Sequence, residues 1–227
     1  MSAAFRCRLG EFDASTALEK LGSLSAAAAQ TGFSTHHTKQ TEAWQAELQF
    51  LRTFAFQVIQ RLPRSCDWWL LFEFEIPRRG KRPDVILLAD DLIFVIEFKV
   101  GEHEFQRGAI DQVWDYALDL KHFHEASHDV AIIPVLVATA AAEAGPLTFD
   151  ADDDKVYRPI PVNSSRLRDV IDALDRAQAP VGRTCGEHLD EGEALALHLA
   201  LEPLLDRLLR LGALLGVVEG DALDVDR

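Results

Sequence analysis

Residues 82 to 101 read RPDVILLADDLIFVIEFKVG, two apolar runs joined by Asp90 and Asp91. Three ionisable residues, Asp84, Glu97 and Lys99, stand where such a hairpin should be most buried. Counting outward from a two-residue turn places Asp84 directly across from Glu97, with Cβ atoms about 5 Å apart. Glu97 and Lys99 are two apart on one strand and therefore share a face. Asp-Asp is not a favoured turn pair, so a slip of one residue is the competing register. Facing carboxylates repel, and a buried pair must share a proton or bind a cation. A divalent ion such as Mg²⁺ or Mn²⁺ suits this donor set, because Mg²⁺ takes one or two carboxylates, several waters and a substrate phosphate. A lysine beside it can stabilise charge on a phosphate or orient an attacking water.

Neighbouring segments offer more groups. Glu47 lies between Trp44 and Leu48, on the flank of an apolar stripe, where a carboxylate is unusual. Gln112 and Tyr116 are one helical turn apart and carry groups suited to phosphate or water. Arg78, Arg79, Lys81 and Arg82 form a basic stretch beside the hairpin, able to hold a phosphate backbone. Glu73 and Glu75 read as a polar strand face, one of them reaching the site being the minority reading. The histidines show no metal-ligand spacing with the cysteines, and the acidic run 150 to 154 reads as a solvated loop.

The elements that would position these residues follow from periodicity. A short helix is expected over residues 14 to 30, with a loop after it. From Thr41, a plausible N-cap, Trp44, Leu48, Leu51, Ala55, Val58 and Leu62 recur at steps of three and four, an amphipathic helix. Residues 68 to 77 read as a strand, and the hairpin follows. A second helix is expected over 105 to 124 and a strand covered on both faces over 130 to 139. KVYRPIPV reads as a short extended segment. Ser164 or Ser165 should cap a helix running to about 178, and the leucine-rich stretch 187 to 216 reads as helical. The order predicts an α/β sandwich around a mixed sheet.

The bulk properties set limits. At 227 residues with 48% apolar content, the chain can build a sizeable core. No apolar run suffices to cross a bilayer, and no signal peptide is evident, so no membrane role is expected. Cys7, Cys66 and Cys185 are odd in number and far apart, which suits a reducing cytoplasm. The net charge of −14 argues against coating nucleic acid by charge alone.

In combination these motifs resemble the PD-(D/E)XK nuclease superfamily. Glu47 on a helix, Asp84 in RPD, Glu97 and Lys99 in EFK, and QVWDY on the next helix come in the superfamily's order. The hairpin stretch, DQVWDYALDLKHFH and IIPVLVAT are similar to the nuclease domain at the front of bacterial nuclease–helicase fusions with a Schlafen-type helicase part. The resemblance implies a restriction-endonuclease-like αβββαβ core over residues 41–162, beside which the residue patterns predict a helix and loop over 1–40 and a helical extension over 163–227. It implies Asp84, Glu97, Glu47 and the Phe98 carbonyl as metal ligands and Lys99 as the catalytic lysine. Gln112, Tyr116 and Arg82 would touch substrate or the lysine. DNA is the implied substrate, in bacterial defence or repair, and both monomers and homodimers fit the superfamily. The chain has no phosphate loop of its own, so a separate helicase or ATPase partner is a further expectation. Two other readings stay open: an interaction module that keeps the fold, and an RNA-directed nuclease.

Overall fold

A computed structural model describes residues 3–29, 37–76 and 78–178, with the side chains of 23–29, 37–43, 177 and 178 left aside. The expected leucine-rich helical extension and Cys185 lie outside the described residues. Six strands form one sheet in chain order: β1 (Phe5–Arg8), β2 (Trp69–Phe72), β3 (Val85–Ala89), β4 (Leu92–Lys99), β5 (Ala131–Ala138) and β6 (Ile160–Val162). The first four pair antiparallel; β4, β5 and β6 run parallel. The helices are α1 (Ala14–Ala29), α2 (His37–Arg61), α3 (Arg107–Phe123) and α4 (Leu167–Gln178). The protein is α/β, with a mixed sheet between helices. No described helix is long and apolar enough to cross a membrane.

Strand alternation sorts the core into two clusters. Leu87, Phe94, Ile96, Phe98 and Val135 pack with Leu48, Leu51 and Val58 of α2 and Leu167, Val170 and Ile171 of α4. Leu71, Ile86, Ile93, Val95 and Leu136 pack with Val113, Ala117 and Leu120 of α3. β4 and β5 are covered on both sides, which explains their nearly unbroken apolar runs. The parallel β4–β5 pair needs a crossover, and α3 supplies it. α3 therefore lies across the face that carries the odd-numbered residues of β4.

The hairpin register is the expected one. Val85 faces Ile96, Leu87 faces Phe94 and Ala89 faces Leu92. Asp90, at φ 51, absorbs the left-handed backbone of the tight turn. Elsewhere the structure differs from expectation. α2 begins at His37, so Thr41 lies inside it; Lys39 and Gln40 are good helix formers and nothing there stops the turn. β2 ends at Phe72, because Glu73 takes a left-handed φ of 49. Phe74 and Ile76 then leave the sheet and join the α3-side cluster. Neither Ser164 nor Ser165 caps α4: their hydroxyls donate to the Thr139 carbonyl and to Asn163 Oδ1. β1 is an addition; FRCR is too short to carry a periodic signal, and it pairs with β2 at the sheet edge.

Candidate functional site

The open end of the hairpin gathers acids from four elements. Asp84 lies one residue before β3. Its Oδ2 accepts the Phe98 backbone N–H at 2.7 Å, which clamps it against β4. Glu97 and Lys99 point from β4 to the α3 side, since they continue the Ile93, Val95 series. Glu97 is buried, and Lys99 Nζ donates to its Oε1 at 2.9 Å. α3 meets them with Gln112, whose Oε1 accepts from Lys99 Nζ at 3.2 Å and whose Nε2 donates to Glu97 Oε1 at 2.8 Å. The same amide nitrogen lies 2.8 Å from Tyr116 Oη, so the one-turn spacing of Gln112 and Tyr116 is used as a relay. The Phe98 ring packs in the opposite cluster, edge-on to Phe50 at 5.5 Å.

Glu47 comes from α2, on the other side of the sheet, and is buried. Burial, with repulsion from Glu73 and Glu97, raises its carboxyl to about 8 against the pull of Lys99. Burial, Glu97 and Glu47 push Asp84 well above the usual carboxylate range, and the Phe98 N–H bond only moderates this. Glu73 is raised mainly by burial and also by Glu97, although the Trp44 indole and Arg82 oppose it. Burial would lower the Lys99 ammonium, but Glu97, Asp84 and Tyr116 outweigh it and hold the amine charged. Four carboxyls thus share one ammonium, with Arg82 acting on Glu73 as well. Glu97 Oε2 is buried and has no hydrogen-bond partner among the described residues. The cluster is short of positive charge.

The basic stretch does not arrive free. Arg82 pairs with Glu75 at 2.9 Å. Arg79 and Lys81 both reach Asp119 of α3, at 3.1 and 2.9 Å, and Arg79 also lies over the Phe123 ring. Arg78 is exposed and has no ion-pair partner among the described residues. The Asp119 pairings join segments far apart in sequence, so the charge run alone could not show them.

Glu73 is the group whose position sequence reasoning missed. The left-handed backbone that ends β2 breaks the strand's alternation, and Glu73 Oε1 accepts the Trp44 indole N–H at 3.0 Å. A non-glycine residue held there costs roughly 1 kcal/mol. Its only signal in the sequence was an acid following the apolar run WLLF.

Among the described residues no three carboxylate, imidazole or thiolate groups form a ready-made cation cage. Comparisons of the chain with protein-family models, with curated proteins and with solved structures each return no match.

Proposed function

We propose that the protein is a metal-dependent nuclease that hydrolyses phosphodiester bonds in DNA, built on the restriction-endonuclease-like core that its element order resembles. One observation carries the reading. A charged lysine is held by Glu97 and Gln112, while Asp84, Glu97 and Glu47 lie near enough to repel one another with no matching cation among the described residues. A set of buried acids this poorly neutralised is costly unless it is used.

The residues fit a hard cation. All the donors are oxygens, Glu97 keeps a buried oxygen without a partner among the described residues, and Mg²⁺ needs only one or two carboxylates with water completing its shell. Asp84 and Glu97 would hold it, with the Phe98 carbonyl and Glu47 adding direct or water-bridged contacts. When bound, the ion supplies charge neutralisation at the phosphate and a more acidic water. The protein's own part is positional. Gln112 and Glu97 fix the Lys99 ammonium, which can donate to a phosphate oxygen and stabilise its developing charge. Glu47, which holds its proton up to about 8 without an ion, would have to give it up on ion binding before it could accept one from a water. Tyr116 orients the Gln112 amide that steadies the lysine.

A second reading has its own support. The net charge of −14 and the internal pairing of Arg79, Lys81 and Arg82 leave little free positive surface near the site. A nuclease so built grips nucleic acid weakly and in a salt-sensitive way, and a helicase or ATPase partner would deliver the substrate; an interaction module would need no grip at all. The chemistry acts on the phosphate, so RNA remains the alternative substrate. The deciding experiment incubates the purified chain with labelled single- and double-stranded DNA and with RNA, in Mg²⁺, Mn²⁺ or EDTA. The expected result is metal-dependent cutting of DNA that Lys99→Ala and Asp84→Asn abolish. No cutting in any metal would favour the interaction module, and cutting of RNA alone would replace the substrate.

A further inference from the structure

We propose that Glu73 is a positioning carboxylate of this site, anchored by Trp44 so that it ties the helix carrying Glu47 to the strand end carrying Asp84 and deepens the cation-binding field of both. The inference rests on the metal-dependent reading above and extends it to a residue and an anchor outside the motif set.

Three attachments define the arrangement. The Glu73 backbone N–H donates to the Asp84 carbonyl at 3.0 Å, so the residue is fixed to the segment that bears Asp84. Its Oε1 accepts from Trp44 Nε1 at 3.0 Å. Trp44 is buried and stands three residues before Glu47, on the same side of α2. Glu73 therefore bridges the two elements whose acids must converge. Strict alternation would have sent it with Leu71 to the α3 side, and the left-handed backbone at Glu73 is what brings it to Trp44 instead.

A structural role alone does not explain the charge. The Trp44 indole needs an acceptor, and a glutamine of the same length would provide one without repelling Glu47 and Asp84. Arg82 offsets part of the Glu73 charge but is shared with Glu75, and a carboxylate repelled by Glu47 and Asp84 gains most where a further cation comes to sit among the acids. The buried, unpartnered Oε2 of Glu97 points independently to the same deficit.

The test uses the full chain and measures Mn²⁺ binding by calorimetry, together with the rise in melting temperature that Mn²⁺ produces. Glu73→Gln keeps the acceptor for Trp44 and removes the charge. It is expected to melt at or above the wild-type temperature without metal and to bind Mn²⁺ about 10-fold more weakly. Glu73→Asp, which restores the charge, is expected to recover part of that loss. Trp44→Phe leaves the carboxylate unanchored and is expected to lose affinity by a smaller factor. Wild-type affinity in Glu73→Gln would overturn the proposal, while metal-dependent cutting by the wild type would leave the nuclease reading standing. A wild type that neither binds Mn²⁺ nor cuts would overturn both.

Discussion

The two ends of the β3–β4 hairpin use the same parts to opposite effect. At the turn, Asp90 takes a left-handed backbone and its Oδ1 accepts the Trp68 indole N–H at 3.1 Å. At the open end, Glu73 takes a left-handed backbone and accepts the Trp44 indole at 3.0 Å. The turn end then adds Arg64, which pairs with Asp90 at 3.2 Å and also with Asp175. Two acids meet one guanidinium, and each has a partner. The open end adds Glu47, Asp84 and Glu97 to Glu73 and offers one ammonium, Lys99, and an arginine, Arg82, that Glu73 shares with Glu75. A fold can pair its half-buried acids when stability is all that matters, as the turn shows. The imbalance opposite it is what marks the open end as a site.

The largest expected effect breaks the contrast at its chemical centre. Lys99→Ala or Asp84→Asn should reduce metal-dependent cutting at least ~100-fold, the scale of removing one preorganised charge-stabilising group. Asp84→Asn should not lower the melting temperature in EDTA, since it removes a repelled charge. A fall in activity matched by a fall in stability would mean that these residues serve the fold, as the acids at the turn do.

Much of this contrast could be read from residues alone. Counting outward from Asp90–Asp91 gave the register that the structure has, although the apolar runs, buried on both faces, did not themselves exclude a slip of one residue. That register put Asp84 opposite Glu97, and the one-turn spacing of Gln112 and Tyr116 put the two on one side of α3, where Gln112 meets Lys99. What stayed hidden depended on tertiary contact or on a single dihedral angle. Nothing local showed that Glu73 would leave the extended backbone and meet Trp44, 29 residues away in the chain. Nothing local showed that Asp119 would claim both Arg79 and Lys81. β1 escaped because four residues at a sheet edge carry no period.

The next effect is on stability and follows from pH. Folded Glu47 holds its proton up to about 8, against 4.5 for an unperturbed glutamate. The folded state therefore binds the proton more tightly than the unfolded state. Its contribution is complete below pH 4.5 and is lost as pH rises through about 8. In EDTA the wild type should lose on the order of 2 kcal/mol between pH 5 and 8 relative to Glu47→Gln, which has no such proton to lose. Denaturant melts of both proteins at the two pH values measure it. Mg²⁺ should restore part of the loss in the wild type only, because an ion bound to the folded state stabilises it by mass action. Parallel curves for the two proteins would remove Glu47 from the cluster.

The smallest effect lies at the turn and sharpens the comparison from its other side. Arg64→Met leaves Asp90 and Asp175 without their shared cation while keeping much of the side chain's packing. Arg64 is 45% exposed, so water screens the lost pairs, and the cost should be about 1 kcal/mol. That loss should be the same in EDTA and in Mg²⁺, and cutting at a temperature where the variant is folded should be unchanged. The open end should behave the other way, with stability that depends on the ion and activity that depends on every acid. If Arg64→Met instead made the protein's stability respond more strongly to Mg²⁺, the turn would be a second cation-hungry cluster once its arginine is removed. The two ends would then differ only in which cation completes them, a guanidinium from the chain at the turn and a metal from solution at the site.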